Sequence, residues 1–307
     1  MEKFFNIAGV VDPARHYFIS HRLDEQQLKE WIARAHYFVL HAPRQSGKTT
    51  AIIEFMHSLC MEETYKPFYI NLEAAQAARG RVEEAMRTIL DRFRAGIVHA
   101  FSEEDPAIAY LDRQLEKQHI SGNALYAFLQ FWAKVSLERE GRFLVLFIDE
   151  VDSLVGDTLI SVLRQLRDGY LSRPKSFPQS ICLFGVRDVR DYRIWSDSQQ
   201  ATILGGSAFN IKAESLTLRD FSFQEVQDLY LQHTKASGQV FTQEALAFAF
   251  MQTQGQPWLV NALAYQACFR DVQDRSVVID TEILQRAKEV LIKRCDTHLD
   301  KFHMRNR

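Results

Sequence analysis

Between Tyr37 and Cys60 the chain reads YFVLH, then APRQSGKT, then TAIIEFMHSLC. The apolar run Tyr37 to His41 predicts a buried strand, and the apolar periodicity of Ala51 to Cys60 predicts a helix. A strand, a short loop ending in Gly-Lys-Thr and a helix leave few folds open. Such a loop presents the unpaired N–H donors of a helix start, where the helix dipole also favours an anion. Gly47 lets the backbone come close to a phosphate, and Lys48 supplies a point charge for β and γ oxygens. The Thr49 hydroxyl is placed to ligate Mg²⁺. Ala42, Pro43, Arg44, Gln45, Ser46, Gly47, Lys48, Thr49 and Thr50 therefore form a candidate phosphate-binding loop. Ala42 stands where the usual pattern has its first glycine, so the entry turn must use a backbone conformation open to an L-residue.

A second run, Arg142-Phe-Leu-Val-Leu-Phe-Ile-Asp149-Glu150, is almost continuously apolar before it ends in two acids. That pattern predicts a central parallel strand covered on both faces. Two carboxylates ending a buried strand are costly unless a cation offsets their charge. Ligands of open α/β sheets bind at the carboxyl ends of the strands. Asp149 is accordingly a candidate Mg²⁺ ligand, directly or through water. Glu150 is the candidate to orient or deprotonate an attacking water. The competing reading is an N-cap cluster for a helix starting near Leu154, and it suits Asp152 and Ser153 better than the acid pair.

The remaining chain falls into order around these two segments. Residues 13–22 precede a helix capped by Asp24, with Leu28, Trp31, Ile32 and Ala35 on one face. The extended segment before it is a candidate to flank a base, with a packing role over the sheet edge as the alternative. Lys66 to Leu72 predicts a second strand. Residues 73–140 show no strand signal; Arg81–Arg94 and Asn123–Glu138 predict helices, so this stretch is expected as a helical insertion. A helix over 157–171 leads to a fourth strand, Ser180 to Val186, which ends at Arg187. An arginine there is a candidate sensor of a γ-phosphate, with Arg190 and Arg193 as competitors and a solvated loop as the alternative. Asp191 to Gly206 is polar and glycine-bearing and is expected to be mobile, and Phe209 to Leu218 supplies a fifth short strand.

Beyond that point the period changes. Ser222-Phe-Gln-Glu225 is a capping box, Thr242 to Gln254 a helix closed by Gly255, and Pro257 opens a third helix. Asp280 begins a fourth, expected to run to the end. The fold expected is α/β, with a mostly parallel five-stranded sheet over residues 1–213 and an all-helical lid over 214–307.

Bulk properties narrow the class. With 307 residues the prior is one large domain plus a satellite. A net charge of −2 gives no overall pull toward nucleic acid or anionic membrane. The last helix carries seven Lys/Arg against three acids between Arg286 and Arg307, which the helix dipole accommodates at a C-terminus. His298 and His303 are five apart and off one face, so no metal site is expected there. Four widely spaced cysteines are expected as buried small hydrophobes in a reducing compartment. No membrane-span-length apolar segment and no signal peptide is read, so a cytoplasmic location is expected.

With APRQSGKTT, LVLFIDE and Gly255-Gln-Pro257 in view, the chain resembles the P-loop ATPases of the AAA+ and STAND assemblage. It looks closest to the AAA-like domain ATPases related to Orc/Cdc6-type proteins, and the likeness extends over nearly all of the chain. The resemblance implies ATP and Mg²⁺ at Ala42–Thr49, metal ligation by Asp149 and a catalytic role for Glu150. It also implies a sensor role for Arg187 and a lid proline at Pro257 that packs against the nucleotide. His16 to Arg22, with Tyr17 and Arg22 as its candidates, is similar to the stretch that lies near the adenine. Such proteins usually add winged-helix, repeat or effector domains; none is read here. The implied function is a slow Mg-dependent ATPase acting as a conformational switch, with ATP/ADP as ligands and a protein partner or self-association. A DNA-associated ATPase and a nucleotide-locked module without turnover are the alternatives.

Overall fold

Along the run Phe143–Asp149, Leu144, Leu146 and Ile148 fall in one buried cluster, whereas Val145 and Phe147 fall in another. Successive strand residues point to opposite faces, so this run is covered on both sides, as its unbroken apolarity predicts. The computed structural model describes residues 2–185 and 193–294. Two units emerge: Leu23–Pro43 with Ala51–Leu218, and Met1–Arg22 with Arg44–Thr50 and Arg219–Arg307.

In chain order the elements up to residue 218 are α1 (Glu25–Ala33), β1 (Tyr37–His41), α2 (Lys48–Cys60), β2 (Tyr65–Asn71) and α3 (Val82–Ala100). There follow α4 (Pro106–Leu115), α5 (Ala124–Glu140), β3 (Phe143–Asp149), α6 (Gly156–Asp168) and β4 (Ser180–Gly185). The last are β5 (Arg193–Ser196), β6 (Ala201–Leu204), the short α7 (Gly205–Ala208) and β7 (Lys212–Thr217). One five-stranded sheet has the order β2-β3-β4-β1-β7, and every neighbouring pair is parallel. On one face Leu28, Trp31 and Ile32 of α1 join Ile52, Phe55 and Leu59 of α2 over Phe38, Leu40, Val145 and Phe147. On the other, Met86, Phe93, Phe128 and Trp132 cover Val39, Phe68, Leu146 and Ile148. Each large apolar side chain so buried contributes about 1.5–3 kcal/mol, and together they fix where β3 ends.

Residues 73–140 are helical, as expected, and include α4, which the sequence pattern did not separate. Its start is pinned at long range. Asp105 caps α4 by accepting from Ala107 N (2.9 Å) and also accepts from the Lys66 ammonium of β2 (2.6 Å). Glu140 at the end of α5 accepts from the same ammonium at 2.6 Å. Those three groups hold the start of α4 and the end of α5 to the start of β2.

Two expectations need correction here. Part of the stretch expected to be mobile is a hairpin: β5 pairs antiparallel with β6. Its inner residue Ser196 donates to Asp157 of α6 (2.5 Å), whose carboxylate also accepts from Ser198 N (3.0 Å). Those bonds, Ser196 first, hold the Asp157 carboxyl below its ordinary range. Four residues of alternation are too few to announce such a strand, and its anchor lies 39 residues away. Secondly, Asp152 and Ser153 cap no helix. Val151–Ser153 is a single 3₁₀ turn, and α6 begins at Gly156 behind Val155, with no side-chain cap. Cys182 and Cys268 are buried as expected, but Cys60 at the end of α2 is exposed.

The other unit contains α8 (Phe223–Ser237), α9 (Gln243–Thr253), α10 (Pro257–Tyr265) and α11 (Thr281–Lys293). A π turn over Gln266–Asp271 continues α10. The N-terminal segment packs into the same core, where Phe5 and Tyr17 join Val226, Leu229, Tyr230 and Leu263. Among the described residues, no helix is long and apolar enough to cross a membrane.

The capping box of α8 is complete. Ser222 Oγ accepts from Glu225 N (3.2 Å) and Glu225 Oε2 accepts from Ser222 N (2.7 Å). The Arg219 guanidinium donates to Glu225 Oε1 at 2.9 Å. Burial works to raise the Glu225 carboxyl, but the bonds from Arg219 and Ser222 outweigh it and bring it down to about 2. In the unfolded chain the same group titrates near 4.5. Between those values the unfolded state binds the extra proton, so stability rises with pH through that window and is lost as pH falls toward 2. Glu225→Gln should therefore flatten the acid limb of thermal stability and cost about 1 kcal/mol at neutral pH. Unfolding temperatures of both proteins from pH 2 to 7 check this; an unchanged acid limb refutes it.

Candidate nucleotide-binding site

All five strands are parallel, so their carboxyl ends share one edge of the sheet. At that edge the chain leaves β1 through Ala42, whose N–H donates to Gly185 O at the end of β4 (3.3 Å). Asp149 closes β3 there with only 4% of its surface exposed. Its Oδ2 accepts from the Tyr69 hydroxyl at 2.7 Å, and its Oδ1 accepts from Glu150 N at 2.8 Å. The next strand holds it from the side, since Leu72 N donates to the Asp149 carbonyl (3.1 Å). Asp149 is thus a buried, oriented carboxylate, which is the state a cation ligand requires.

Glu150 has φ 54° and ψ 37°, in the left-handed region. For a residue with a Cβ this costs on the order of 1 kcal/mol. That conformation turns the chain out of β3 into the 3₁₀ turn Val151–Ser153.

Within the other unit lies the loop itself. Its left-handed positions are Gln45 (φ 59°) and Gly47 (φ 84°), not Ala42, so alanine is tolerated at the entry. Lys48 begins α2, so the loop does run into a helix N-terminus. Val11 N donates to Thr50 Oγ1 (3.3 Å), tying the N-terminal segment to the same turn. Ser46 is 1% exposed and its hydroxyl has no hydrogen-bond partner among the described residues. A buried hydroxyl of this kind costs about 1–3 kcal/mol unless something satisfies it. An anion seated on the loop is a natural acceptor, so the residues present fit a bound polyphosphate. Within the loop's own unit the Thr49 hydroxyl is an oxygen donor of the hardness Mg²⁺ prefers. No cluster of three His, Cys, Asp or Glu is found among the described residues.

Arg22 and the element after Gly255 both reach the loop. The Arg22 Nη1 donates to Ser46 O at 2.6 Å, its Nη2 donates to Arg219 O, and the guanidinium lies 4.6 Å from the Phe221 ring centroid. Pro257 is buried in the first turn of α10. It is Gln256, one residue earlier, that contacts the loop: its Nε2 donates to Gln45 O at 3.4 Å, and its Oε1 caps α10 by accepting from Leu259 N at 2.6 Å. The sequence pattern pointed to the proline and missed the glutamine, whose only local signal is its N-cap position.

Tyr17 is elsewhere. It is 2% exposed, its ring centroid is 4.8 Å from that of Phe5, and its hydroxyl meets His233 Nδ1 at 3.1 Å. Burial pushes the phenol up to about 12 and lowers the imidazole, so both are neutral. Gln239 Oε1, 2.9 Å from His233 Nε2, can only accept. The proton therefore sits on Nε2, and Nδ1 accepts from Tyr17. This tyrosine belongs to the helical core. Arg187 and Arg190 lie outside the described residues; Arg193 is exposed at the start of β5.

A parallel sheet ordered β2-β3-β4-β1-β7, with a phosphate-type loop after β1 and an acid-terminated β3, is an α/β fold shared with solved structures of a Walker-type ATPase and of Cdc6p. Among solved structures, that of a Walker-type ATPase of Pyrococcus abyssi superposes with a TM-score of 0.61, covering 93% of this chain and 75% of that one at 14% identity. Cdc6p of Pyrobaculum aerophilum gives 0.54 over 92% and 72%, also at 14% identity. Orc1 of Aeropyrum pernix, solved in complex with DNA, gives 0.53 over 90% and 66% at 14%. No family model matches the sequence, and no curated protein matches it. At these identities the likeness is one of fold.

Proposed function

We propose that the chain binds MgATP, hydrolyses it slowly and uses it as a conformational switch, with residues 214–307 as the moving lid. The observation that carries this reading is the loop: a glycine at φ 84° directly before a helix that starts with Lys48 and Thr49, with a buried, unsatisfied Ser46 hydroxyl beside it. In this reading Lys48 draws the β and γ oxygens, and Thr49 and Asp149 hold Mg²⁺, which neutralises phosphate charge when bound. Glu150 orients the attacking water, and Arg187 senses the γ-phosphate. Loss of that phosphate releases the contacts that depended on it.

Phosphate release and ligand-dependent thermal stabilisation test the two halves separately. Glu150→Gln should keep MgATP stabilisation while turnover falls by roughly a hundredfold or more. Undiminished turnover in that variant would remove Glu150 from the role, and an unaltered chain that binds but never releases phosphate would make the protein a nucleotide-locked module.

One observation favours a second reading, a DNA-associated ATPase: the fold is shared with an Orc1 protein solved on DNA. It predicts duplex binding that weakens steeply with salt. Absence of such binding at low salt would dismiss it.

A further inference from the structure

Two loop carbonyls are gripped by side chains that come from far apart in the sequence. Ser46 O accepts from Arg22, and Gln45 O accepts from Gln256, 211 residues away. In a trans peptide the C=O of one residue and the N–H of the next point in opposite directions. Drawing Ser46 O toward Arg22 therefore aims the Gly47 N–H the other way, and drawing Gln45 O toward Gln256 does the same for the Ser46 N–H. These are amides a polyphosphate on the loop would use.

The grip is built for a guanidinium. Its two forks serve two carbonyls, Ser46 O and Arg219 O, and its face rests on Phe221. A Cβ at Gly47 would stand 2.8 Å from Arg22 Nη1, so a side chain there would push the end of the arginine aside. The support then closes on itself. Phe221 N donates to Gly255 O (2.8 Å), and Gly255 immediately precedes Gln256.

We infer that Arg22 and Gln256 are positioning residues: they hold the loop from its outer side so that its amides face the phosphates, and Arg22 is not itself a phosphate ligand. The inference rests on the nucleotide-binding reading. It also links that loop to the Arg219–Phe221 segment that leads into α8 through a single side chain.

Titration with a fluorescent (mant) ADP is the test, on the unaltered chain and on Arg22→Lys, Arg22→Ala, Gln256→Ala and the Arg22→Ala/Gln256→Ala pair. Lysine keeps the charge but not the fork. If Arg22 acts by orienting peptides, Arg22→Lys and Arg22→Ala should both weaken binding, by roughly ten- to a hundredfold. Gln256→Ala should cost only about threefold, because its bond is neutral and long. The pair should fall short of the product of the single losses, since the two grips act on adjacent peptides. Guanidinium ion at low millimolar concentration should restore part of the loss in Arg22→Ala, which a merely misfolded variant would not show. Arg22→Lys binding as tightly as the unaltered chain would overturn the inference, as would strictly multiplicative losses. Failure of the unaltered chain to bind ADP would instead remove the nucleotide reading and this inference with it.

Discussion

Lys48→Ala is expected to abolish the rise in unfolding temperature that the proposed MgATP binding should give the unaltered chain. At a ligand concentration a hundred times Kd, mass action alone stabilises a binding protein by about 2.7 kcal/mol. Lys48 stands at the first position of α2 and is 9% exposed. There the dipole of the helix and the ammonium act together on whatever anion the loop receives. Removing the ammonium leaves only the backbone donors. The measurement is differential scanning fluorimetry with and without MgATP, with MgADP as a second ligand to separate β- from γ-phosphate contributions. A Lys48→Ala protein stabilised as much as the unaltered one would refute the loop as a triphosphate site.

The second large effect falls on Gly255. Its φ is 74°, and a Cβ there would lie 1.9 Å from Phe221 O and 2.9 Å from Phe221 C. Backbone cannot swing aside as a long side chain can. Gly255→Ala must therefore displace the Phe221 segment, at a cost of about 3 kcal/mol or more from steric overlap and left-handed strain combined. Gly238, at the C-terminus of α8, provides the control. Its φ is 81° but nothing lies within 4 Å of where a Cβ would stand, so Gly238→Ala carries the conformational cost alone, about 1 kcal/mol. Equilibrium denaturation of the two variants should separate them clearly; equal losses would mean the overlap at Gly255 relaxes without consequence. Because Phe221 also carries Arg22, Gly255→Ala should lower nucleotide affinity as well, whereas Gly238→Ala should not.

What the sequence disclosed followed the range of the interactions involved. The strand–loop–helix at Tyr37–Cys60 and the acid-ended β3 are local patterns, and both were legible from period and residue type. The caps at Asp24, Ser222, Thr242 and Asp280 were equally local, and each side chain accepts from the expected backbone N–H. The pairing of Arg22 with Ser46 O was not legible, because nothing near Arg22 in sequence marks its partner. Gln256 was overlooked beside the more conspicuous Pro257 for the same reason. Tyr17 was a candidate through the resemblance of His16–Arg22 to a stretch near the adenine; its engagement with His233 was not legible, because that partner lies 216 residues away. The β5–β6 hairpin was lost because its stabilising partner, Asp157, sits on another element.

The short piece Arg44–Thr50 groups with the chain's beginning and its final third, although its covalent neighbours belong to the sheet. Contacts of such high sequence separation close late, since a long intervening segment must first be ordered. On a ribosome the sheet can assemble while Gln256 and Phe221 are still unsynthesised, leaving the loop unbraced. On the proposed reading, the loop would be braced for nucleotide only after Gln256 and Phe221 have joined the chain.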